Sequence, residues 1–463
     1  MDMTKEILKK VRKTITRHSM LERGDLVMVA VSGGPDSICL LDILSVLRDE
    51  FSIRLVVAHF DHGLRPEEDE AETRFVRRLA LSMNLPFESA KGSLSAGEGA
   101  TSLEERARDA RYTFFEDLRI RLHAQKIALG HSLNDQAETV LMRLLRGSGP
   151  SGLAGIPPVR NGFLIRPLLD LKREDVLSYL NVRKLSYVTD SSNLQTEFLR
   201  NKIRLEWMPR LLKMQPKLVE HLGHLANVLR EENQYMDHQA REWVDRAELK
   251  SDDQETAIPV PSFLALPAAL RNRVTRCILR KVKKDLRRID QGHIRAVYDL
   301  ALGEKPQGVL SLPQGLRVER IYDTLLVTRN PLKANPIFHY ALEGPGETYI
   351  PEIGRSITIL ELKGETDQVN DASPKTAYLN GDKLHFPLVL RNFKPGDRFV
   401  PLGMSGHRKV KDFFMDLKIP SRDRASTPIL VHEKNPVWIC GLRIDDRFKV
   451  TTETKRILKA TLS

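Results

Sequence analysis

Apolar residues in the first third of the chain fall into short unbroken runs, each followed by a longer stretch with helical spacing. Residues 27–31 (VMVAV), 53–60 (IRLVVAHF), 87–89 and 126–130 (KIALG) read as buried strands. Residues 38–47, 67–83, 101–122 and 131–146 read as the helices that follow them, the second acidic at its start and basic further on, as the helix dipole prefers. Strands alternating with helices predict an α/β fold with a doubly wound parallel sheet. In such a sheet the turns after the first and fourth strands share the carboxyl edge, where ligands bind.

Beyond this region the pattern changes. Residues 147–158 (GSGPSGLAGIPP) are too broken by Gly and Pro for a helix or strand and read as a mobile loop over the crevice. A helix is expected at 173–185 and a boundary at 209–216. Long amphipathic helices follow at 217–249, 268–284 and 291–302, then short strands at 308–313, 316–319, 324–328 and 356–361, with a polar loop at 370–375. Strands at 388–391 and 437–440 and a helix at 410–417 complete the chain. Three domains are expected: 1–215, a mainly helical 216–335, and a small mixed α/β unit at 336–463. No internal repeat is visible.

Composition narrows the class. The 463 residues are 41% hydrophobic and 29% charged, as in a globular protein, and no apolar run approaches a membrane span. The N-terminal residues alternate charges on a helix rather than forming a signal core, so a cytoplasmic location without membrane contact is expected. Three cysteines, Cys39, Cys277 and Cys440, stand far apart without a C-x-x-C, which argues against a zinc knuckle or an iron–sulfur site. The net charge of +12 favours a polyanionic partner. From Arg271 to Arg288 the chain carries Arg280, Lys281, Lys283, Lys284 and Arg287 among its basic residues, against the single acid Asp285. Such one-signed clustering suits nucleic acid better than a solvated face.

The chemistry-bearing residues sit at the strand ends. Ser32-Gly33-Gly34-Pro35-Asp36-Ser37 joins the first strand to its helix, with Pro35 at a first helical position. Uncapped N–H groups, the helix dipole and close backbone approach at glycine make such a turn an anion site, and the hydroxyls of Ser32 and Ser37 add donors. Asp36 adds a carboxylate within reach of a metal. No lysine follows the glycines, so this is not a Walker A loop. His131 opens the fourth turn, and Asp135 and Glu138 lie three apart on one side of its first helical turn, a spacing that suits helix capping as well as catalysis. Glu105, Arg108 and Tyr112 share a helix face, with Arg111 beside it. Arg200 and Arg204, one turn apart, suit a phosphate, a carboxylate or a surface ion pair.

The SGGxDS turn alone resembles the PP-loop of ATP pyrophosphatases. Taken with DHGLR at 61–65, ARDARY at 107–112, GHSLNDQAETVLMRLLRGSG at 130–149, RPLL at 166–169, RNKIR at 200–204, and KPGDR and KVKDFF further on, the sequence resembles the bacterial tRNA(Ile)-lysidine synthetase family over nearly its whole length. That resemblance implies a PP-loop catalytic domain followed by two tRNA-binding domains. It also implies ATP- and Mg²⁺-dependent joining of L-lysine to C2 of the wobble cytidine in an isoleucine tRNA with a CAU anticodon. The base oxygen is adenylated with loss of pyrophosphate, and the lysine amine then displaces AMP. Codon reading changes from AUG to AUA.

Carried over by motif, Ser32, Gly33, Gly34, Pro35, Ser37 and His131 hold ATP, and Asp36 serves ATP and Mg²⁺. Asp135 and Glu138, with Arg111 and Arg108, meet lysine and the activated base. Arg204 is catalytic or contacts tRNA, and Arg200, Arg280, Lys283, Lys284 and Arg287 contact tRNA. The family commonly has two adjacent acids before the glutamine, whereas Asn134 stands first here. No general base is identified, no obligate protein partner is called for, and a homodimer is left open. A related tRNA 2-thiolating enzyme and a noncatalytic, ATP-regulated RNA-binding protein are the competing readings.

Overall fold

A computed structural model describes residues 3–61, 63, 66–92, 103–188, 199–331, 335–363 and 373–463, with residues 66, 103–105, 107, 108 and 363 described by backbone alone. Residues 370–372 of the expected polar loop lie outside these residues, as do His62, Leu64 and Arg65 of DHGLR. The chain forms two compact units, Met1–Tyr235 and Met236–Ser463.

In the first unit, helix α1 (Met3–Arg17) precedes β1 (Leu26–Ala30), α2 (Pro35–Leu47), β2 (Arg54–Asp61), α3 (Pro66–Ser82), β3 (Phe87–Lys91), α4 (Leu103–Arg121), β4 (Lys126–Ala128) and α5 (Leu133–Leu145). A short helix α6 (Pro150–Leu153), strands β5 (Val159–Arg160) and β6 (Leu164–Ile165), and helices α7 (Arg173–Arg183), α8 (Leu199–Lys202) and α9 (Met208–Met214) follow. The sheet order is β3-β2-β1-β4-β6-β5. Strand β1 pairs in parallel with β2 on one side (Val27↔Leu55) and β4 on the other (Val27↔Lys126), and only the edge strand β5 is antiparallel. The chain therefore leaves β1 toward one side and returns to its other side, which opens a crevice at the carboxyl ends of β1 and β4.

Both faces of this sheet are covered, so its strands are apolar throughout rather than alternating. Val27, Val29, Leu55 and Val57 pack with α1, α2 and α7, while Met28, Val56 and Ala58 pack beneath Phe115 and Leu118 of α4. The alternation of strand side chains thus feeds two cores. Helix α2 is enclosed on nearly every side, including Asp42, which accepts from Tyr179 Oη at 2.7 Å and from the Arg183 guanidinium at 3.0 and 3.1 Å.

The loop expected to be mobile is instead tied down. Residues 150–153 form α6, and Arg143 Nη1 donates to the carbonyls of Gly152 and Gly155 at 2.7 and 2.8 Å. Arg230 Nη2 donates to Ala154 O and Ile156 O at 2.9 and 3.1 Å, and Ile156 N–H donates to Gln136 Oε1 at 2.5 Å. Glycine and proline leave the segment few side-chain anchors of its own, Ser151 Oγ to Asn233 Oδ1 at 3.4 Å among them, and its neighbours supply the rest.

Helix α10 (Leu218–Ala247) spans the boundary between the units. In the second unit, α11 (Val260–Leu264), α12 (Ala268–Lys283) and α13 (Gln291–Leu302) share a core with an antiparallel sheet. Its strands β7 (Lys250–Ser251), β8 (Glu255–Pro259), β9 (Gln307–Ser311), β10 (Arg317–Ile321) and β11 (Thr324–Thr328) stand in the order β7-β8-β11-β10-β9. Hydrophobic patterning does not disclose β8, because its pairing with β11 (Pro259↔Thr324) joins residues far apart in the chain. A separate core around Trp438, Leu390 and Leu458 organises a five-stranded and a four-stranded sheet after residue 335. Among the described residues no helix is long and apolar enough to cross a membrane.

Candidate active site

The glycine turn ends β1. Gly33 has φ +92, a conformation that side chains other than glycine's rarely adopt, and its carbonyl accepts from Val188 N–H at 2.9 Å. Ser37 Oγ donates to Gly34 O at 2.8 Å and receives Ser32 N–H at 3.2 Å, so the hydroxyl closes the turn on itself. No side chain caps the N-terminus of α2, and Pro35 occupies its first turn. Helix α5 differs: Ser132 and Asp135 form a reciprocal capping box there, with Asp135 Oδ2 accepting from Ser132 N–H and Oγ at 2.9 and 3.0 Å. The orphan donors of α2 are thus the ones left for a ligand.

Gly130, just past β4, touches the start of α2. A Cβ added there would lie 3.0 Å from the Asp36 carbonyl carbon and oxygen, and 3.1 Å from Ser37 N. Glycine at 130 therefore lets the two strand-end turns meet. Asp36 Oδ1 is buried and has no hydrogen-bond partner, and burial, together with the Asp135 charge, pushes this carboxyl up to about 6. His131 Nδ1 is likewise buried without a partner, and burial lowers its pKa to about 3, so the ring is neutral at physiological pH.

Asp135 and Glu138 meet Arg200 and Arg204 in a four-membered ion cluster. Arg204 Nε donates to Glu138 Oε1 at 2.7 Å, and its Nη2 donates to Glu138 Oε2 at 2.8 Å and Asp135 Oδ1 at 3.0 Å. Arg200 donates to Asp135 Oδ1 at 2.9 Å and Glu138 Oε2 at 3.2 Å. Arg204 lies on a π-helical turn, Ile203–Trp207, that follows directly on α8. The wider turn changes the angular step between residues 200 and 204, and such insertions recur at functional sites.

Burial alone would raise the Asp135 carboxyl, but Arg200 and the Ser132 N–H hold it below the usual carboxylate range. Burial also opposes the Arg204 charge, yet Glu138 and Asp135 hold its pKa above the ordinary guanidinium value. The spacing of Asp135 and Glu138 is therefore used twice, for capping and for the cluster.

Asn134, the departure from the family pattern, accepts from the Arg173 N–H at 2.9 Å and so steadies the start of α7. Arg173 in turn is one of the cations that lower the Asp36 pKa against the effect of burial. Arg111 contributes positive charge near His131, as does Arg166, which is buried on leaving β6. Sequence reasoning assigns Arg166 and Arg173 no role; the RPLL motif at the carboxyl end of a strand is the available signal for the first. The Arg108 side chain is outside the described residues. Among those described, no group of three or more His, Cys, Asp or Glu is placed to hold a metal. The lone buried Oδ1 of Asp36 suits an ion such as Mg²⁺, which takes one or two carboxylates and keeps phosphate and water as its other ligands.

The basic segment of the second unit is more neutral than its sequence. Arg273 pairs with Asp237 at 2.9 Å, Lys281 with Glu248 at 2.8 Å and Lys284 with Asp253 at 2.9 Å. Arg271 lies 3.9 Å over the Tyr298 ring. Lys283 has 0% side-chain exposure and pairs with Asp285, which takes it off the surface a polyanion would meet. Arg280, Lys284, Arg287 and Arg288 remain exposed. Replacing Arg280, Lys284 and Arg287 with Ala is expected to weaken tRNA binding and flatten its salt dependence by about one unit for each phosphate no longer neutralised. Lys283→Ala should leave that slope unchanged; filter binding from about 50 to about 200 mM salt reads both.

The parallel sheet, the glycine turn and the acid–arginine cluster define a PP-loop nucleotide-binding protein, and the sequence profile of the PP-loop domain matches residues 3–211. A second profile, the TilS substrate C-terminal domain, matches residues 388–460. The tRNA(Ile)-lysidine synthase of Geobacter sulfurreducens is 36% identical over 452 residues, covering 97% of this chain and 95% of that protein. The tRNA(Ile)-lysidine synthase of Symbiobacterium thermophilum is 37% identical, covering 98% of each chain. The chain belongs to the tRNA(Ile)-lysidine synthase family.

Proposed function

We propose that this chain uses ATP to join L-lysine to C2 of the wobble cytidine in the CAU anticodon of isoleucine tRNA. End-to-end similarity to tRNA(Ile)-lysidine synthases, including the C-terminal profile, favours ligation over thiolation or noncatalytic RNA binding. The observation that carries the site assignment is the pairing of an uncapped α2 N-terminus with a carboxylate cluster across the Gly130 contact.

In this reading the N–H groups of the Ser32–Ser37 turn and the hydroxyls of Ser32 and Ser37 hold the ATP phosphates, with neutral His131 lining the pocket. Mg²⁺ would be held by Asp36 Oδ1 together with those phosphates, where it would offset negative charge. Asp135 and Glu138 recognise the lysine ammonium and place its amine toward the activated base, assisted by Arg111. Arg200 and Arg204 oppose negative charge developing on the departing phosphate. The exposed cations of the second unit contact tRNA backbone, and the anticodon bases are read as single-stranded elements.

The test is mass analysis of an unmodified CAU-anticodon isoleucine tRNA after incubation with ATP, Mg²⁺ and lysine. A lysine adduct with stoichiometric pyrophosphate is expected. A sulfur-for-oxygen shift, or no pyrophosphate, overturns the proposal.

A further inference from the structure

The first unit contains a second cationic cavity, of about 450 Å³, walled by the tied-down loop and lined by Arg143, Arg230, His18, Ser151 and Gln234. It is a built recess. Arg143 and Arg230 hold four carbonyls of the loop, and Asn233 Nδ2 holds a fifth, Pro150 O, at 3.0 Å. The acceptors of Arg230 are neutral, so they satisfy its N–H groups without cancelling its charge. Among the described residues no carboxylate lies within ion-pair distance of Arg230. Arg230 has five N–H donors and spends three, two on carbonyls and one on Asn227 Oδ1 at 2.6 Å. Only the charges of Asp170 and Glu231, beyond contact distance, offset its burial, and a half-buried guanidinium with donors to spare is costly unless a ligand brings an anion to it.

Other linings define the ligand further. Pro157 and Pro158 add apolar lining, the Gln234 amide offers a donor and an acceptor, and the Ser151 hydroxyl, which donates to Asn233 Oδ1 at 3.4 Å, offers an acceptor. The volume exceeds what a phosphate alone needs and falls in the range of small-molecule sites.

We infer that this cavity takes one nucleotide of the bound tRNA, its phosphate on Arg230 and Arg143 and its base against Pro157 and Pro158, with Gln234 reading the base edge. The inference rests on the proposed tRNA substrate. The cavity also bears on the candidate active site, because the loop that walls it is clamped by Gln136, the residue that follows Asp135 on α5.

The test is tRNA binding by Arg230→Gln and Gln234→Ala against the parent protein, each over a salt series, with ATP affinity as the control. Gln234 is exposed and holds none of the loop carbonyls named above, so its variant leaves those anchors in place. Arg230→Gln is expected to weaken tRNA binding about tenfold and flatten the salt slope by about 0.7, the value for one single-strand phosphate. Gln234→Ala is expected to weaken binding roughly two- to fivefold with the slope unchanged, and ATP affinity should hold in both. Unchanged tRNA affinity in both variants overturns the inference, as does full competition for the site by millimolar inorganic phosphate, which marks a small-anion pocket. A parent protein that binds tRNA with these variant effects but forms no lysine adduct would refute the proposed reaction and leave the nucleotide cavity standing.

Discussion

Asp36→Asn is expected to abolish tRNA adenylation while making the ligand-free protein more stable at neutral pH. The two effects have one cause. Asp36 Oδ1 is buried without a partner, and its carboxyl is raised from 3.8 to about 6, so keeping it ionised at pH 7 costs on the order of 2–3 kcal/mol. Below the unfolded value the group is protonated in both states and nothing is lost. As pH rises from about 4 to about 6 the unfolded chain ionises first, the cost grows, and above about 6 it is constant. Asparagine carries no charge, so the stability difference between variant and parent should open across that window and stay level to about pH 8. Urea unfolding at a series of pH values measures it, and a difference independent of pH would show that Asp36 is not a strained anion. Pyrophosphate release with cognate tRNA should fall at least about 100-fold, the scale of losing a preorganised charge contact, with tRNA binding retained.

The second large effect is expected at Arg204. Its three short bonds neutralise Glu138, whose side chain is only 5% exposed, and Asp135. Arg204→Ala leaves two buried carboxylates sharing Arg200 alone, with an expected loss of about 2–4 kcal/mol of stability. Turnover should fall roughly 100- to 1,000-fold while ATP affinity is kept. Arg204→Lys returns the charge without the planar fork, so it should recover stability better than turnover. Equal recovery of both would mean that Arg204 only braces the carboxylates. Arg200→Ala should cost less, because it removes two bonds, one of them at 3.2 Å.

Local pattern carries much of this architecture. Four strand–helix units are readable because each apolar run and its helix lie within a few dozen residues. The glycine turn announces itself through Gly33, Gly34 and Pro35, and the shared face of Asp135 and Glu138 follows from helix geometry. What sequence does not reveal depends on residues far apart. Arg200 and Arg204 find their carboxylates more than sixty positions earlier. Lys283 reads as part of a basic surface, but helical phase turns it inward while its neighbours Arg280 and Lys284 stay exposed. The acids that quiet the basic segment, Asp237, Glu248 and Asp253, precede it on other elements. The glycine–proline segment reads as loose because its anchors belong to Arg143, Gln136 and Arg230.

The missing methyl at Gly130 makes the turn after β1 and the turn after β4, which leads into the carboxylate cluster, mechanically one jaw. With the Asp36 carbonyl only 3.0 Å from where a side chain would begin, neither turn can retreat from the other without a gap or advance without a collision. A side chain at position 130 would have to push the first turn of α2 aside, so added bulk there would displace Asp36 and Ser37 together.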